Sequence, residues 1–114
     1  LASKALLENV STLSVEANIT LHRRPLPGAI VPGEPWDILM IDPPWGKELG
    51  PPTASAALKA GRLHTESVVT LSERHGLGGD DAQWHALGFE VMDRRRYGDS
   101  GLLLMRLVKS ADID

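Results

Sequence analysis

The chain has 114 residues, of which 42% are hydrophobic and 24% are charged, and its net charge is −3. This length allows one domain, and the composition is ordinary for a globular chain. Proteins that bind nucleic acid over their whole surface are usually basic, so RNA binding here would require a local basic patch. The chain has no cysteine, which excludes disulfides and cysteine-ligated zinc.

Membrane and metal-binding proteins are disfavoured by the sequence. No apolar run reaches the ~20 residues that span a bilayer, and no basic-then-apolar signal peptide opens the chain. The histidines show no metal-ligand spacing; they are His22, His64, His75 and His85. We therefore expect a cytoplasmic protein with no membrane partner and no bound metal.

The first third of the chain predicts a helix, a strand and a loop. Residues 2–13 are predicted to form an amphipathic helix, because apolar side chains recur there at helical spacing. No capping residue precedes this helix, and we expect further sequence upstream. Residues 17–22 alternate weakly and predict a strand. Residues 23–35 contain four prolines and predict a loop.

The remainder of the chain alternates strands with short helices. An apolar run from Ile38 to Ile41 predicts that residues 36–41 form a fully buried strand. The pair Pro51-Pro52 suits the start of a helix, which is predicted over residues 53–60. The other predicted elements are strands at 65–73, 89–94 and 102–108, a loop and short helical turn at 76–84, and a turn at 96–101.

Asp42-Pro43-Pro44-Trp45 directly follows the apolar strand and is the most informative motif of the chain. In open α/β sheets, ligands bind at the carboxyl ends of the strands. The two prolines have a fixed φ and no N–H, so the loop is stiff and its carbonyls are available as acceptors. A carboxylate held rigidly beside a ring suits a flat substrate with an exocyclic amine, such as a nucleobase. An Asp-Pro pair after a strand is also a common turn, and the motif alone leaves both interpretations open.

Three segments of the chain together carry a resemblance to a known family. They are residues 36–47, the strand 68–73, and the turn Arg94-Arg95-Arg96-Tyr97-Gly98-Asp99-Ser100 with the apolar strand after it. Many amino-methylating enzymes share the Asp-Pro-Pro-aromatic motif, and the late Arg-Tyr-Gly-Asp-Ser turn makes the combination more specific. Over residues 36–106 the chain resembles the RsmD-type bacterial 16S rRNA (guanine-N2) methyltransferases.

The resemblance implies an α/β fold, part of the Rossmann-like sheet of class I methyltransferases with strand order 3-2-1-4-5-7-6. The chain would supply strands 3–7 and lack strands 1 and 2, which would leave the strand 36–41 with a bare apolar edge. Residues 1–109 would form the C-terminal part of a methyltransferase domain, and residues 110–114 a tail. The implied cofactor is S-adenosylmethionine. Most of its binding site, a Gly-rich turn after strand 1 and an acid after strand 2, is missing from this chain.

The resemblance also implies roles for single residues. Asp42, Pro43 and Pro44 would form the catalytic loop, in which the Asp42 carboxylate and the Pro43 carbonyl accept hydrogen bonds from the target amine. Asp42 would also border the cofactor. The residues implied on the substrate side are Trp45, which would stack on the base, Tyr97, Arg96 and Lys47.

Two features leave a structural and a functional interpretation open. The basic run Arg94-Arg95-Arg96 either contacts phosphates or forms a solvated face. Glu73 ends a predicted strand at the ligand-binding edge and matches a glutamate of the family, but a glutamate in this place is more often structural.

The predicted function is S-adenosylmethionine-dependent methyl transfer to the N2 amine of a guanine, with 16S rRNA or the small ribosomal subunit as partner. Two alternatives stay open. One is an amino-methyltransferase that acts on DNA adenine or a protein amide. The other is a truncated, inactive remnant that at most binds RNA or another protein.

Overall fold

The computed structural model describes residues 4–6, 8–9, 28, 30–43 and 46–108. Residues 4–6 and 8–9 are helical, which agrees with the predicted N-terminal helix where it is described. The predicted strand 17–22, much of the predicted loop 23–35 and the predicted tail 110–114 lie outside the described residues.

Besides the helical residues 4–6 and 8–9, the described structure contains four strands and two helices. In chain order they are β1 (Trp36–Ile41), α1 (Gly50–Lys59), β2 (Leu63–Arg74), α2 (Asp81–Ala86), β3 (Phe89–Tyr97) and β4 (Ser100–Leu107). The bounds of β1 agree with the prediction, and β2 is longer than predicted at both ends. The predicted turn at 96–101 is wrong, because the strands continue to Tyr97 and resume at Ser100.

The four strands form one sheet in the order β1-β2-β4-β3. β1 runs parallel to β2, whereas β2 with β4 and β3 with β4 are antiparallel. This is the order 4-5-7-6 expected for the last four strands of the Rossmann-like methyltransferase sheet. α1 connects β1 to β2 as a crossover, which a parallel pair requires.

Both helices start where their sequences provide a starting signal. Prolines occupy the first positions of α1, where a missing N–H costs no hydrogen bond. Asp80 caps α2 by accepting a hydrogen bond from the N–H of Gln83, and the Gln83 side chain accepts one from the N–H of Asp80. This capping box satisfies two N–H groups that a helix of six residues would otherwise leave unpaired.

The core lies on one face of the sheet, beneath the two helices. Trp84 of α2 and Phe89 of β3 are fully buried there with their rings edge to face, 5.6 Å apart. The small side chains of α1 allow a close approach to the sheet. The other buried apolar residues are Ile41, Ala54, Ala57, Leu63, Val69, Leu71, Leu103, Met105 and Val108.

The opposite face of the sheet is largely uncovered by the described residues. Ile38 is 61% exposed and Met40 is 77% exposed, so the expectation that β1 is fully buried is wrong for the described structure. Successive side chains of a strand point to opposite faces, and both described helices pack on the face that holds Leu39 and Ile41. Further exposed apolar residues of the sheet are Val68, Met92, Leu102 and Leu104.

The start of α1 offers a test of how tightly the helix packs on the sheet. A Cβ on Gly50 would lie 2.6 and 2.9 Å from the two methyl carbons of Leu71, which is itself buried. We expect Gly50→Ala to destabilise the chain by roughly 1–3 kcal/mol in urea titrations, despite the better helix propensity of alanine. The double variant Gly50→Ala/Leu71→Val should lose less stability than the sum of the losses of the two single variants, because the shorter valine leaves room for the new methyl group. Strict additivity would show that Gly50 and Leu71 do not press on each other.

Candidate active site

The Asp-Pro-Pro-Trp motif begins at the carboxyl edge of the parallel strand pair. Ile41 is the last paired residue of β1 and lies beside Leu71 of β2. Asp42 follows with an exposed side chain, and Pro43 is buried. The β3–β4 turn reaches the same edge of the sheet, because Ser100 pairs with Arg74 at the end of β2. The structure therefore places Asp42 where open α/β sheets bind ligands.

Part of the predicted catalytic loop lies outside the described residues. Pro44 and Trp45 are in that part, so their roles as loop and stacking residues stay predictions. The chain is described again from Gly46, whose φ of 85° lies in the left-handed region that favours glycine. Lys47 is exposed after it, which leaves its ammonium group accessible to a phosphate.

Glu73 occupies a buried position at the same edge. It lies two residues after Leu71 on β2, and its side chain is only 2% exposed. Its Oε1 accepts hydrogen bonds from the N–H of Gly46 at 3.2 Å and from the N–H of Arg74 at 2.8 Å. Its Oε2 is buried and has no hydrogen-bond partner in the described structure. Buried carboxylate oxygens usually have a partner, so this one requires an explanation.

The glycine-rich loop after β2 covers Glu73. Gly78 has a φ of 96°, and a Cβ there would lie 3.2 Å from a methyl carbon of Leu71 and 3.6 Å from the Cβ of Glu73. The carbonyl of Gly78 accepts a hydrogen bond of 2.7 Å from Nε1 of Trp84. The loop thus passes close over the end of β2 and is held by the core. Gly78 and Gly79 thus have a packing role, in agreement with the expectation of a plain loop.

A cavity of about 840 Å³ lies between α1, this loop, α2 and the end of β3. Its volume is in the range of small-molecule sites, roughly 300–1,000 Å³. Glu73, Arg94 and Arg96 are among its lining residues, whereas Asp42 is not.

The basic run is divided between the two faces of the sheet. Arg94 pairs with Leu103, and Arg96 with Gly101, on the face that carries Glu73. Arg95 lies between them and points to the opposite face. The sequence left a phosphate contact and a solvated face as alternatives, and the alternation of the strand means that the three arginines cannot act as one patch on a single face.

Each arginine of this run already has an acceptor within the chain. Arg94 donates to Asp81 at 2.8 Å and to the carbonyl of Gly79 at 2.9 Å. Nε of Arg96 donates to the carbonyl of Gly98 at 2.8 Å, which engages one edge of its guanidinium and no carboxylate. Of the two arginines of this run on the Glu73 face, Arg96 is the one that forms no ion pair among the described residues.

Arg95 forms an ion pair with Asp93 on the opposite face, at 2.7 Å. The side-chain hydrogen bond from Arg95 holds the pKa of Asp93 below its ordinary value, and the same bond raises the pKa of Arg95. A lowered carboxylate pKa means that the pair stabilises the fold above the unfolded-state pKa of Asp93. This contribution is lost as the pH falls through the folded-state pKa.

Tyr97 lies at the end of β3, away from Asp42. It pairs with Ser100 and is 60% exposed. β3 and β1 are the two outer strands of the four-stranded sheet, so their axes are about 14 Å apart at ~4.8 Å per strand. Asp42, Gly46 and Glu73 thus lie at one end of the carboxyl edge of the sheet, and Tyr97 lies at the other end of that edge.

Neither a metal cluster nor a membrane-spanning helix occurs in the parts of the chain that the structure describes. No group of three or more histidine, aspartate or glutamate side chains there is close enough to hold a metal ion. Within the same residues, every helix is too short or too polar to cross a bilayer.

The strand order, with α1 and α2 on one face, is that of part of a Rossmann-like α/β sheet. No protein-family model matches the chain, and no curated protein matches its sequence. Solved structures do match. One is a conserved hypothetical protein of Streptococcus pyogenes, with a TM-score of 0.78 and 17% identity over 94% of this chain and 66% of that protein.

Two further matches are named as methyl-transferring enzymes. The candidate methyltransferase yhhF of Escherichia coli has a TM-score of 0.71 and 17% identity, over 92% of this chain and 56% of its own length. The candidate methylase HI0767 of Haemophilus influenzae has a TM-score of 0.72 and 14% identity, over 93% of this chain and 66% of its own length. The chain thus spans 56–66% of the length of these three structures and shares their fold.

Proposed function

We propose that the chain is the substrate-side part of an S-adenosylmethionine-dependent methyltransferase whose target is the N2 amine of a guanine in small-subunit rRNA. The observation that carries the proposal is the position of Asp42, an exposed carboxylate directly after a parallel strand at the ligand edge of this fold. The fold is shared with two structures titled as candidate methyltransferases, which supports methyl transfer as the reaction.

Asp42 and the carbonyl of Pro43 would hold the amine. An exocyclic amine has two N–H donors, and one acceptor for each fixes the orientation of the nitrogen lone pair. When bound, S-adenosylmethionine would supply the methyl group and leave as S-adenosylhomocysteine. Asp42 and the Pro43 carbonyl would orient the nitrogen lone pair, and the Asp42 carboxylate would take up the proton that the nitrogen releases. The gain is mainly positional, and such orientation can contribute several kcal/mol.

Only a small part of a cofactor site belongs to this chain. Asp42 is exposed at the sheet edge, so its carboxylate is accessible to a cofactor bound over the carboxyl ends of the strands. Trp45 would stack on the base, which is worth ~1–3 kcal/mol per base. Arg96, Lys47 and Tyr97 would contact the RNA around it.

A methyl-transfer assay with a panel of acceptors tests the proposed reaction. The complete gene product that contains this chain is incubated with radiolabelled S-adenosylmethionine and, separately, naked 16S rRNA, small ribosomal subunits, adenine-containing DNA and bulk protein. We expect label in RNA, recovered after digestion as N2-methylguanosine. Label in N6-methyladenine of DNA or in a protein amide would support the alternative amino-methyltransferase. RNA binding without label in any acceptor would support the inactive alternative.

RNA affinity should depend on Arg96 more than on Arg94. The charge of Arg94 is neutralised by Asp81, whereas Arg96 donates only to a backbone carbonyl among the contacts recorded in the described structure. We expect Arg96→Gln to weaken RNA binding and to reduce the salt slope by about one phosphate contact. Arg94→Gln is the matched control and should change the slope little. Fluorescence anisotropy titrations at several salt concentrations measure this slope. If wild type and Arg96→Gln have equal slopes, Arg96 does not contact the RNA.

A further inference from the structure

We propose that Glu73 is the positioning residue of the amine-holding loop. Its Oε1 accepts the N–H of Gly46, a residue 27 positions earlier in the sequence, and so ties the end of the Asp42 loop to the end of β2. The identity of the group that the loop holds rests on the proposed function. The role of Glu73 in fixing the loop is independent of that function.

The contact with Gly46 closes the loop at its second end. At its first end, Asp42 is one residue beyond the Ile41–Leu71 pair and is fixed by the β1–β2 ladder. Two of the residues between are prolines, which have no N–H to donate to a neighbouring strand. Gly46 provides the N–H that reaches β2, and its left-handed φ of 85° is a conformation that other residues adopt only with strain. Both ends of the loop are thus attached to β2.

The burial of Glu73 is costly if its only role is to stabilise the fold. Its Oε2 is buried without a hydrogen-bond partner in the described structure, and the glycine loop packs against the Cβ and Cγ of the same side chain. Burying a carboxylate oxygen without a partner is unfavourable, and an apolar side chain at this position would avoid that cost. What the carboxylate provides in return is one oxygen that accepts two backbone N–H groups, those of Gly46 and Arg74.

The proposal makes distinct predictions for three substitutions. Glu73→Gln keeps an acceptor oxygen at the same distance from the main chain and should keep the loop in place. Glu73→Ala removes the acceptor. Glu73→Asp keeps the charge but shortens the side chain by one methylene, so its oxygen no longer reaches Gly46. Glu66→Ala is the matched control, because Glu66 is an exposed glutamate on the same strand.

Amide hydrogen exchange of the 114-residue chain, followed by NMR, measures the loop directly. We expect the Gly46 amide to exchange about 10-fold faster in Glu73→Ala and Glu73→Asp, because both changes remove the acceptor of its hydrogen bond. In Glu73→Gln and Glu66→Ala it should stay within about threefold of wild type. The amides of Val69 and Leu71, in the buried centre of β2, should not change in any variant.

Two results would overturn the proposal. If Glu73→Ala accelerates Gly46, Val69 and Leu71 alike, Glu73 is a general stabilising residue. If the Gly46 amide exchanges equally fast in wild type and Glu73→Ala, the hydrogen bond does not hold the loop.

Titration with guanosine 5′-monophosphate separates this proposal from the proposed function. Shifts at Asp42 and Gly46 in the wild type, weakened about tenfold or more in Glu73→Ala and retained in Glu73→Gln, support both. No shifts in the wild type contradict the guanine site and leave the exchange result for Glu73 standing. Equal affinity in wild type and Glu73→Ala, with the Gly46 amide accelerated, overturns the positioning role.

Discussion

Replacing Asp42 with alanine is expected to lower methyl transfer at saturating RNA by about 10²-fold or more and to change RNA affinity little. Asp42 is the exposed carboxylate at the ligand edge, and the proposed function assigns it to hold the target amine. A positional error of about 1 Å in a reacting group can cost ~10²-fold in rate. RNA affinity comes mainly from phosphate contacts, in which Asp42 has no part.

Steady-state kinetics with the complete gene product would measure this effect as a fall in kcat with little change in KM. Asp37→Ala is the matched control. Asp37 is an aspartate of the same region with a 93% exposed side chain, but it lies at the amino end of β1, where it pairs with His64 at 2.9 Å. If Asp42→Ala keeps its turnover at saturating RNA within twofold of wild type, Asp42 is only a turn residue and the proposed amine-holding site is wrong.

Replacing Trp84 with alanine should be the most destabilising single change in the described core. Trp84 is the largest fully buried side chain, packs edge to face on Phe89 and donates to the carbonyl of Gly78. Truncation of a buried tryptophan typically costs ~3–5 kcal/mol, which is a large part of the ~5–15 kcal/mol stability of a typical domain. We expect Trp84→Ala to be largely unfolded in urea titrations at concentrations where the wild type is folded.

A second variant separates the ring of Trp84 from its hydrogen bond. Trp84→Phe keeps an aromatic ring and leaves the buried carbonyl of Gly78 without its donor, for which ~1–3 kcal/mol is the usual loss. Leu102→Ala, on the exposed face, is the control and should cost much less. A loss below about 1 kcal/mol for Trp84→Ala would show that α2 is not part of the folding core.

Most of the strand order could be predicted from the sequence. Local patterns indicated the strands, and the family resemblance over residues 36–106 indicated their order. The bounds of β1 agree with the prediction because its apolar run is framed by Pro35 and by Asp42-Pro43. The predicted β3–β4 turn is too long, because Arg95, Arg96 and Tyr97 are polar or exposed and do not continue the apolar alternation of the strand. Their place in the strand is set by pairing with β4, which no local pattern contains.

Other features depend on residues that are distant in the sequence. Apolar residues on both faces of β1 predicted burial on both, yet burial requires an element that covers each face, and both described helices pack on the same one. The hydrogen bond from Gly46 to Glu73 joins two loops whose approach follows from the β1–β2 register. By contrast, the α2 capping box was available in the sequence as Asp80 followed three residues later by Gln83.

The sheet order also has a consequence for the folding pathway. β3 and β4 are neighbours in the chain and can close as a hairpin over Gly98-Asp99, whereas β1 can pair with β2 only after the crossover 42–62 is in place. Contacts of low sequence separation form earlier, so we expect the β3–β4 hairpin to form first and the longer-range β1–β2 and β2–β4 pairings to follow it. Substitutions in β1 should then give lower φ-values than those in the hairpin. The substrate loop would be completed only when β1 pairs with β2, after the hairpin has formed.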